Sequence, residues 1–142
     1  MRMREQAVKD AVVSHLSDAN YGVVEEFPVL GRIADILAMH ATSDTVVAIE
    51  CKERDWSHAL VQARQYQAAV DYAFIALPAA RCTAAACDRA RTLGIGVLAI
   101  SEQGTVSELV SSHRSSSHYL GLQSHLTTRL AAWFSTGGCT GA

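Results

Sequence analysis

Proline, aromatic residues and long apolar runs are scarce in this chain of 142 residues. It has 2 prolines and 6% aromatic residues, and no apolar run approaches the roughly 18 residues that a membrane-spanning helix needs. The N-terminus leads into a charged helical pattern and not into the apolar core of a signal peptide. We therefore expect a cytoplasmic protein with no membrane partner.

Cysteine patterns that bind zinc are also missing. The 4 cysteines form no Cys-x-x-Cys pair and have no histidine partner at zinc-finger spacing. Cys82 and Cys87 are separated by five positions in an alanine-rich segment, which is a poor zinc-site spacing. Idle or buried thiols in a reducing compartment are the expectation.

Net charge is small, at −2 with 12 basic and 14 acidic residues. This balance argues against a protein that binds nucleic acid over its whole surface, because such proteins are usually basic. It is compatible with a nucleic-acid enzyme, because metal-binding carboxylates lower the formal charge and divalent ions restore it. Ten of the basic residues are arginine and only two, Lys9 and Lys52, are lysine, so each lysine invites an explanation.

Hydrophobic periodicity predicts an α/β fold with a mixed β-sheet flanked by helices. The expected order is helix, three strands, helix, strand, helix, two strands and a C-terminal amphipathic helix. The early strands should be antiparallel and the later ones joined by parallel crossovers. We expect a main domain at residues 1–110, a serine-rich connector at 111–118, the last helix at 119–135 and a flexible tail at 136–142.

Two carboxylates interrupt apolar predicted strands: Asp35 in residues 32–39 and Glu50 in residues 45–52. If the hairpin folds about Thr42 and Ser43, residues whose numbers sum to 85 lie opposite each other, and Asp35 and Glu50 form such a pair. Like charges placed this way destabilise a sheet by roughly 0.2–1 kcal/mol. Lys52, on the same face as Glu50, could neutralise one acid, and a divalent ion could bridge both. A simple salt bridge at a hairpin end explains the same residues.

Further polar groups belong to the neighbouring predicted helices. Gln62 and Tyr66 are four residues apart, and therefore on one side of the helix that follows Glu50. Glu5 in the first helix is a third acid that could reach the same end of the sheet. The plain alternatives are a solvated Gln62, a core Tyr66 and a Glu5 that interacts with the helix dipole.

In combination, these residues resemble the PD-(D/E)XK nuclease superfamily, which has the restriction-endonuclease-like fold. The matching segments are Gly31-Arg32-Ile33-Ala34-Asp35, Ala48-Ile49-Glu50-Cys51-Lys52 and Gln62-Ala63-Arg64-Gln65-Tyr66. The last segment is similar to the Gln-x-x-x-Tyr element of RecB-type members. Ala34 stands where the family pattern has proline. The resemblance covers roughly residues 4–101, which leaves the C-terminal helix outside the restriction-endonuclease-like core.

The resemblance implies a Mg²⁺- or Mn²⁺-dependent DNA endonuclease acting in repair, recombination or defence. Asp35 and Glu50 would hold the metal with help from the Cys51 backbone carbonyl. Lys52 would orient or activate the attacking water and offset charge in the transition state.

Other residues would take supporting roles in such a nuclease. Glu5 would support the metal site, while Gln62 and Tyr66 would fix Lys52 or a phosphate. Phosphate contacts are expected from basic residues near the acids. These are Arg4, Lys9, Arg32, Arg54 and Arg64.

Two other classes of function remain open. One is a catalytically silent member of the same fold that binds DNA or serves in assembly. The other is a small interaction protein whose last helix docks on a partner through Leu122, Leu126 and Leu130. The same leucines could form a homodimer surface in the nuclease, or simply cover the sheet.

Overall fold

The computed structural model describes residues 3–115 and 120–137. Its elements follow the predicted order along the chain. They are α1 (Glu5–Asp18), β1 (Tyr21–Val29), β2 (Arg32–His40), β3 (Val46–Cys51), α2 (Trp56–Tyr66), β4 (Tyr72–Pro78), a 3₁₀ turn (Ala79–Arg81), α3 (Ala84–Leu93), β5 (Gly96–Ile100), β6 (Val106–Val110) and α4 (Leu120–Ser135).

The strands form one six-stranded mixed sheet in the order β1-β2-β3-β4-β5-β6. The pairs β1–β2, β2–β3 and β5–β6 are antiparallel, whereas β3–β4 and β4–β5 are parallel. Parallel neighbours need a crossover connection, which α2 and α3 provide. The predicted α/β class and the change from antiparallel to parallel pairing are confirmed.

Helices cover both faces of this sheet and create two hydrophobic cores. α1 buries Val8, Val12 and Leu16 against one face. On the other face, α2, α3 and α4 enclose a larger core that includes Leu37, Tyr66 and other buried residues. The central strands β3 and β5 are apolar apart from Glu50, because both of their faces are buried.

Short connections with defined caps fix where the central helices begin and end. The Asp55 carboxylate accepts a hydrogen bond from the His58 N–H at 3.1 Å and caps α2. Gly94 ends α3 in the left-handed conformation, with φ at +73°. Because α2 starts so soon after β3, Lys52 lies in a short connection next to the end of the sheet.

The C-terminal helix α4 packs on the sheet of its own chain. Leu126 and Leu130 are buried in the larger core, with exposed fractions of 2% and 0%. The Trp133 ring packs edge-on against Phe27 of β1, with 5.9 Å between ring centroids. Leu122 is exposed. Leu126 and Leu130 therefore cover the sheet, which corrects the expectation that the stripe forms a homodimer surface: two of its three leucines are already buried.

The described part of the serine-rich connector is hydrogen-bonded to the core. The Ser115 N–H donates to the Asp71 carbonyl at 3.0 Å, and the Arg114 guanidinium contacts the buried Asp71 carboxylate at 2.9 Å. The rest of the predicted connector, Tyr119 and the tail from residue 138 onward lie outside the described residues. In residues 3–115 and 120–137, no helix is both long and apolar enough to span a bilayer.

We expect Leu130→Ala to lower the free energy of unfolding by about 2–5 kcal/mol, because a buried leucine leaves a cavity in the core. Leu122→Ala is the control, since an exposed site should change stability by only about 0.5 kcal/mol. Urea unfolding of both variants measures the difference. A Leu130→Ala variant that keeps wild-type stability but changes its molecular mass in solution would show that α4 docks on a partner instead.

Candidate active site

Asp35 and Glu50 lie opposite each other where the pairing of β2 with β3 ends. Ile36 pairs with Ile49 and Leu37 pairs with Ala48, so paired residue numbers sum to 85 as predicted. One further step in this register reaches Asp35 and Glu50. The predicted register is confirmed, and it brings the two acids together at one end of the sheet.

The two carboxylates replace the backbone hydrogen bonds that regular pairing would make at this point. The Asp35 N–H donates to Glu50 Oε1 at 3.2 Å, and the Cys51 N–H donates to Asp35 Oδ2 at 2.9 Å. Each acid therefore binds the backbone of the opposite strand. These bonds satisfy buried donors and fix the position of both carboxylates.

A kink in β1 lies beside Asp35. Val24 and Phe27 of β1 are three residues apart, yet both contact the larger core. Their partners in β2, Leu37 and Ala34, are also three residues apart and contact the same core. Residues three apart in a regular strand face opposite sides. The change of side occurs at Glu26, whose φ of +53° is rare for a residue with a side chain. Because the register places Glu26 opposite Asp35, the irregular backbone lies at the candidate site.

Lys9 of α1 is paired with the acids at this kink. Its side chain is buried, and its ammonium lies 3.6 Å from Glu26 Oε1 and 3.9 Å from Glu25 Oε1. The expected role of Lys9 as a DNA contact is therefore corrected. A buried amine that is held between two carboxylates does not present its charge to a phosphate on the surface.

Glu50 is almost fully buried, with 1% of its surface exposed. Its Oε2 atom has no hydrogen-bond partner among the described residues. Burial, and then the Asp35 carboxylate, raise the pKa of Glu50 to about 8, while the Lys52 ammonium opposes the rise. A buried oxygen without a partner beside a second acid favours the approach of a cation.

Lys52 is close enough to the acid pair for its charge to act on Glu50. It follows directly on β3, where its N–H donates to the Ala76 carbonyl at 3.1 Å. Its side chain is partly exposed, and its charge acts on the Glu50 carboxyl. The site thus combines two acids with one ammonium that solvent can reach.

Helix α2 brings Tyr66 to the acids. The residue is fully buried, and its hydroxyl has no hydrogen-bond partner among the described residues. Burial raises the pKa of Tyr66 to about 12, with contributions from the charges of Glu50 and Asp35, and the Arg32 charge opposes the rise. One helical turn earlier, Gln62 buries an Oε1 atom that also lacks a partner. Gln62 and Tyr66, on consecutive turns of α2, therefore each have a buried polar atom without a hydrogen-bond partner among the described residues.

Glu5 lies towards the other face of the sheet. Alternation in β3 directs the Cys51 side chain away from Glu50 and into the core beneath α1. Burial raises the pKa of the Cys51 thiol, and the charges of Asp35, Glu50 and Glu5 add to the rise. No three His, Cys, Asp or Glu side chains within the described ranges form a metal-binding group, so Glu5 does not complete one with Asp35 and Glu50. The role of the Cys51 carbonyl stays a prediction.

The other basic residues expected near the site are on the surface: Arg4, Arg32, Arg54 and Arg64. Arg32 is close enough for its charge to act on the Tyr66 hydroxyl. The Arg64 guanidinium donates to Gln67 Oε1 at 2.9 Å. The sequence offered no signal for the kink at Glu26 or for its pairing with Lys9, apart from two adjacent acids in an otherwise apolar strand.

We expect the metal-free protein to lose stability as the pH rises from about 5 to about 8. The pKa of Glu50 is about 8 in the folded protein against an ordinary value of 4.5, so the folded state keeps a proton that the unfolded chain has released. This stabilisation is complete below the unfolded pKa and is lost as the pH rises through the folded pKa. Glu50→Gln should remove roughly 2–4 kcal/mol of this decrease in the free energy of unfolding.

Urea unfolding at three pH values, in the presence of a chelator, measures this decline. Glu108→Gln, which changes an exposed acid on β6, is the matched control and should keep the wild-type slope. A Glu50→Gln variant with the wild-type slope would rule out Glu50 as the group responsible.

Comparison with solved structures identifies a counterpart of this fold. A protein of unknown function from Silicibacter pomeroyi matches with a TM-score of 0.66 and 18% sequence identity, over 96% of this chain and 95% of that chain. No protein-family model matches the chain, and no curated protein sequence matches it. At this identity the likeness shows a common α/β fold alone, so function has to be argued from the site.

Proposed function

We propose that this protein is a metal-dependent nuclease that hydrolyses phosphodiester bonds in DNA. The observation that carries the proposal is the pair of Asp35 and Glu50, held together where the pairing of β2 with β3 ends, with Glu50 Oε2 buried and unpaired. A divalent cation would pair with this oxygen and neutralise the repulsion between the acids. A restriction-endonuclease-like core, with one acid on each of these strands, is part of the same proposal.

The donor atoms suit Mg²⁺ or Mn²⁺. Carboxylate oxygens are hard ligands, and Mg²⁺ usually keeps several waters and binds through one or two carboxylates together with substrate phosphates. Two acids are therefore enough. Glu50 would bind through Oε2 and Asp35 through the oxygen that does not accept from Cys51. When bound, such an ion lowers the pKa of water and stabilises the charge that develops on a phosphate.

Residues of the chain itself would position the water and the phosphate. The Lys52 ammonium orients the attacking water and offsets negative charge next to the acids. With a pKa of about 12, the Tyr66 hydroxyl keeps its proton at neutral pH and donates it in a hydrogen bond. Gln62 adds an amide on the same side of α2. The exposed Arg32 and Arg54 supply phosphate contacts that do not depend on sequence.

A catalytically silent DNA-binding or assembly module is the second candidate. It is favoured by the hydrogen bonds that Asp35 and Glu50 accept from backbone N–H groups, because these give both acids a structural role without a metal. That role does not account for the unpaired Glu50 Oε2 or for the unpaired Tyr66 hydroxyl.

We expect cleavage of DNA with Mg²⁺ or Mn²⁺ and none with chelator, tested on linear, nicked, branched and single-stranded substrates. Asp35→Asn and Glu50→Gln should each reduce cleavage by about 100-fold or more and weaken Mn²⁺ binding in calorimetry, because a charged ligand is lost while most backbone hydrogen bonds remain. Glu108→Gln is the control and should match the wild type. Equal Mn²⁺ affinity in the wild type and Asp35→Asn would count against this metal site.

Lys52→Arg should keep DNA affinity and lose most of the cleavage activity. Arginine preserves the charge, but its planar guanidinium does not replace a compact ammonium that contacts a water molecule. Single-turnover cleavage and a separate DNA-binding titration distinguish the two effects. If Lys52→Arg cuts DNA at the wild-type rate, the residue acts only as a general positive charge.

A further inference from the structure

The turn between β1 and β2 presents exposed apolar side chains next to the candidate active site. Leu30 and Gly31 are its two turn residues, between the paired Val29 and Arg32. Leu30 is 45% exposed, and Ile33 is 61% exposed. Isolated apolar side chains are common on protein surfaces. These two differ because they flank an arginine at the tip of a hairpin whose second strand carries Asp35.

Leucine is an unfavourable residue at this turn position. Leu30 and Gly31 have φ values of +53° and +75°, and turns with two positive φ values prefer Asn followed by Gly. The leucine side chain cannot form a hydrogen bond that stabilises this left-handed backbone conformation. An asparagine side chain can do so by bonding to the local backbone. Strain at an exposed position points to a use for the side chain outside folding.

The tip is at a fixed and short distance from the acids. Ile33 and Leu30 precede Asp35 by two and five residues, which at about 3.3 Å per residue is roughly 7 Å and at most roughly 16 Å. The Arg32 charge acts on the Tyr66 hydroxyl, so this residue of the hairpin is within electrostatic reach of the candidate site. In stacked DNA, roughly 7–16 Å corresponds to about two to five nucleotides of roughly 3.4 Å each.

We propose that Leu30 and Ile33 form a wedge that inserts between DNA bases about two to five steps from the phosphate to be cut. The substrate is then DNA whose stacking is already interrupted, at a branch, a flap or a bubble. Leucine and isoleucine are among the side chains that unstack base steps in this way. The energy needed is smallest where bases are already unpaired. The cutting distance rests on the proposed function, but the wedge itself requires only DNA binding.

Fluorescence of 2-aminopurine tests the wedge independently of cleavage. The probe is placed at the junction of a branched duplex, where the wedge would insert, with Ca²⁺ in place of Mg²⁺ so that binding is observed without turnover. Unstacking by the wild-type protein should raise the fluorescence several-fold. Leu30→Asn keeps a residue suited to the turn and removes the apolar side chain, so the rise should fall by about fivefold and the preference for branched over linear DNA by about tenfold.

Leu109→Asn is the matched control, because it makes the same change at a residue that is 47% exposed on β6, at the opposite edge of the sheet. It should leave both readouts unchanged. A wild-type complex without a fluorescence rise, or a Leu30→Asn variant with the wild-type preference, overturns the wedge, and cleavage of linear duplex would then leave the proposed function standing.

A different result would support the wedge and contradict the nuclease proposal. If no metal supports cleavage but the fluorescence rise occurs and depends on Leu30, the wedge holds and the nuclease proposal fails. If Leu30→Asn instead dissociates a dimer or weakens binding to lipid vesicles with no effect on DNA, the partner of the tip is not DNA and the wedge is overturned.

Discussion

The candidate site depends on two reciprocal hydrogen bonds between β2 and β3. The Asp35 N–H donates to Glu50, and the Cys51 N–H donates to Asp35. Two acids that face each other in a sheet repel, and burial increases the cost. Backbone donors offset part of that cost, yet they use only one oxygen of Glu50 and leave the other buried and unpaired. The same bonds that hold the acids in place therefore leave a position for a cation.

Both layers of helices contribute to this arrangement. On the α1 side, the buried Lys9 pairs with Glu25 and Glu26 where β1 is kinked opposite Asp35. On the other side, α2 buries Tyr66 against the acids. Lys9 is buried whereas both glutamates are exposed, so loss of a glutamate would leave a buried ammonium with less compensating charge. The position of Asp35 thus depends on contacts on both faces of the sheet.

The sequence was sufficient for the order of elements, the mixed sheet and the register of β2 on β3. Apolar alternation and the position of the hairpin turn determine a register, and a slip of one residue would have moved Asp35 to the other face. The kink was not predictable, because a positive φ at Glu26 has no local sequence signal. Lys9 was misassigned because a single sequence does not distinguish a buried, paired lysine from an exposed one. From the sequence alone, Leu126 and Leu130 could pack against a partner or against the sheet of their own chain. Their burial in the structure shows that they pack against the sheet.

One strand carries both the proposed wedge and half of the acid pair. Ile33 and Asp35 are two residues apart in β2, and β2 is paired along its length with β1 and further on with β3. No flexible linker separates the tip from the acids, so their distance is set by strand geometry. A wedge on such a strand places a branch point at a constant distance from the phosphate next to Asp35. Substrate structure and cutting position would then be read by the same element of the fold, without any contact that recognises bases.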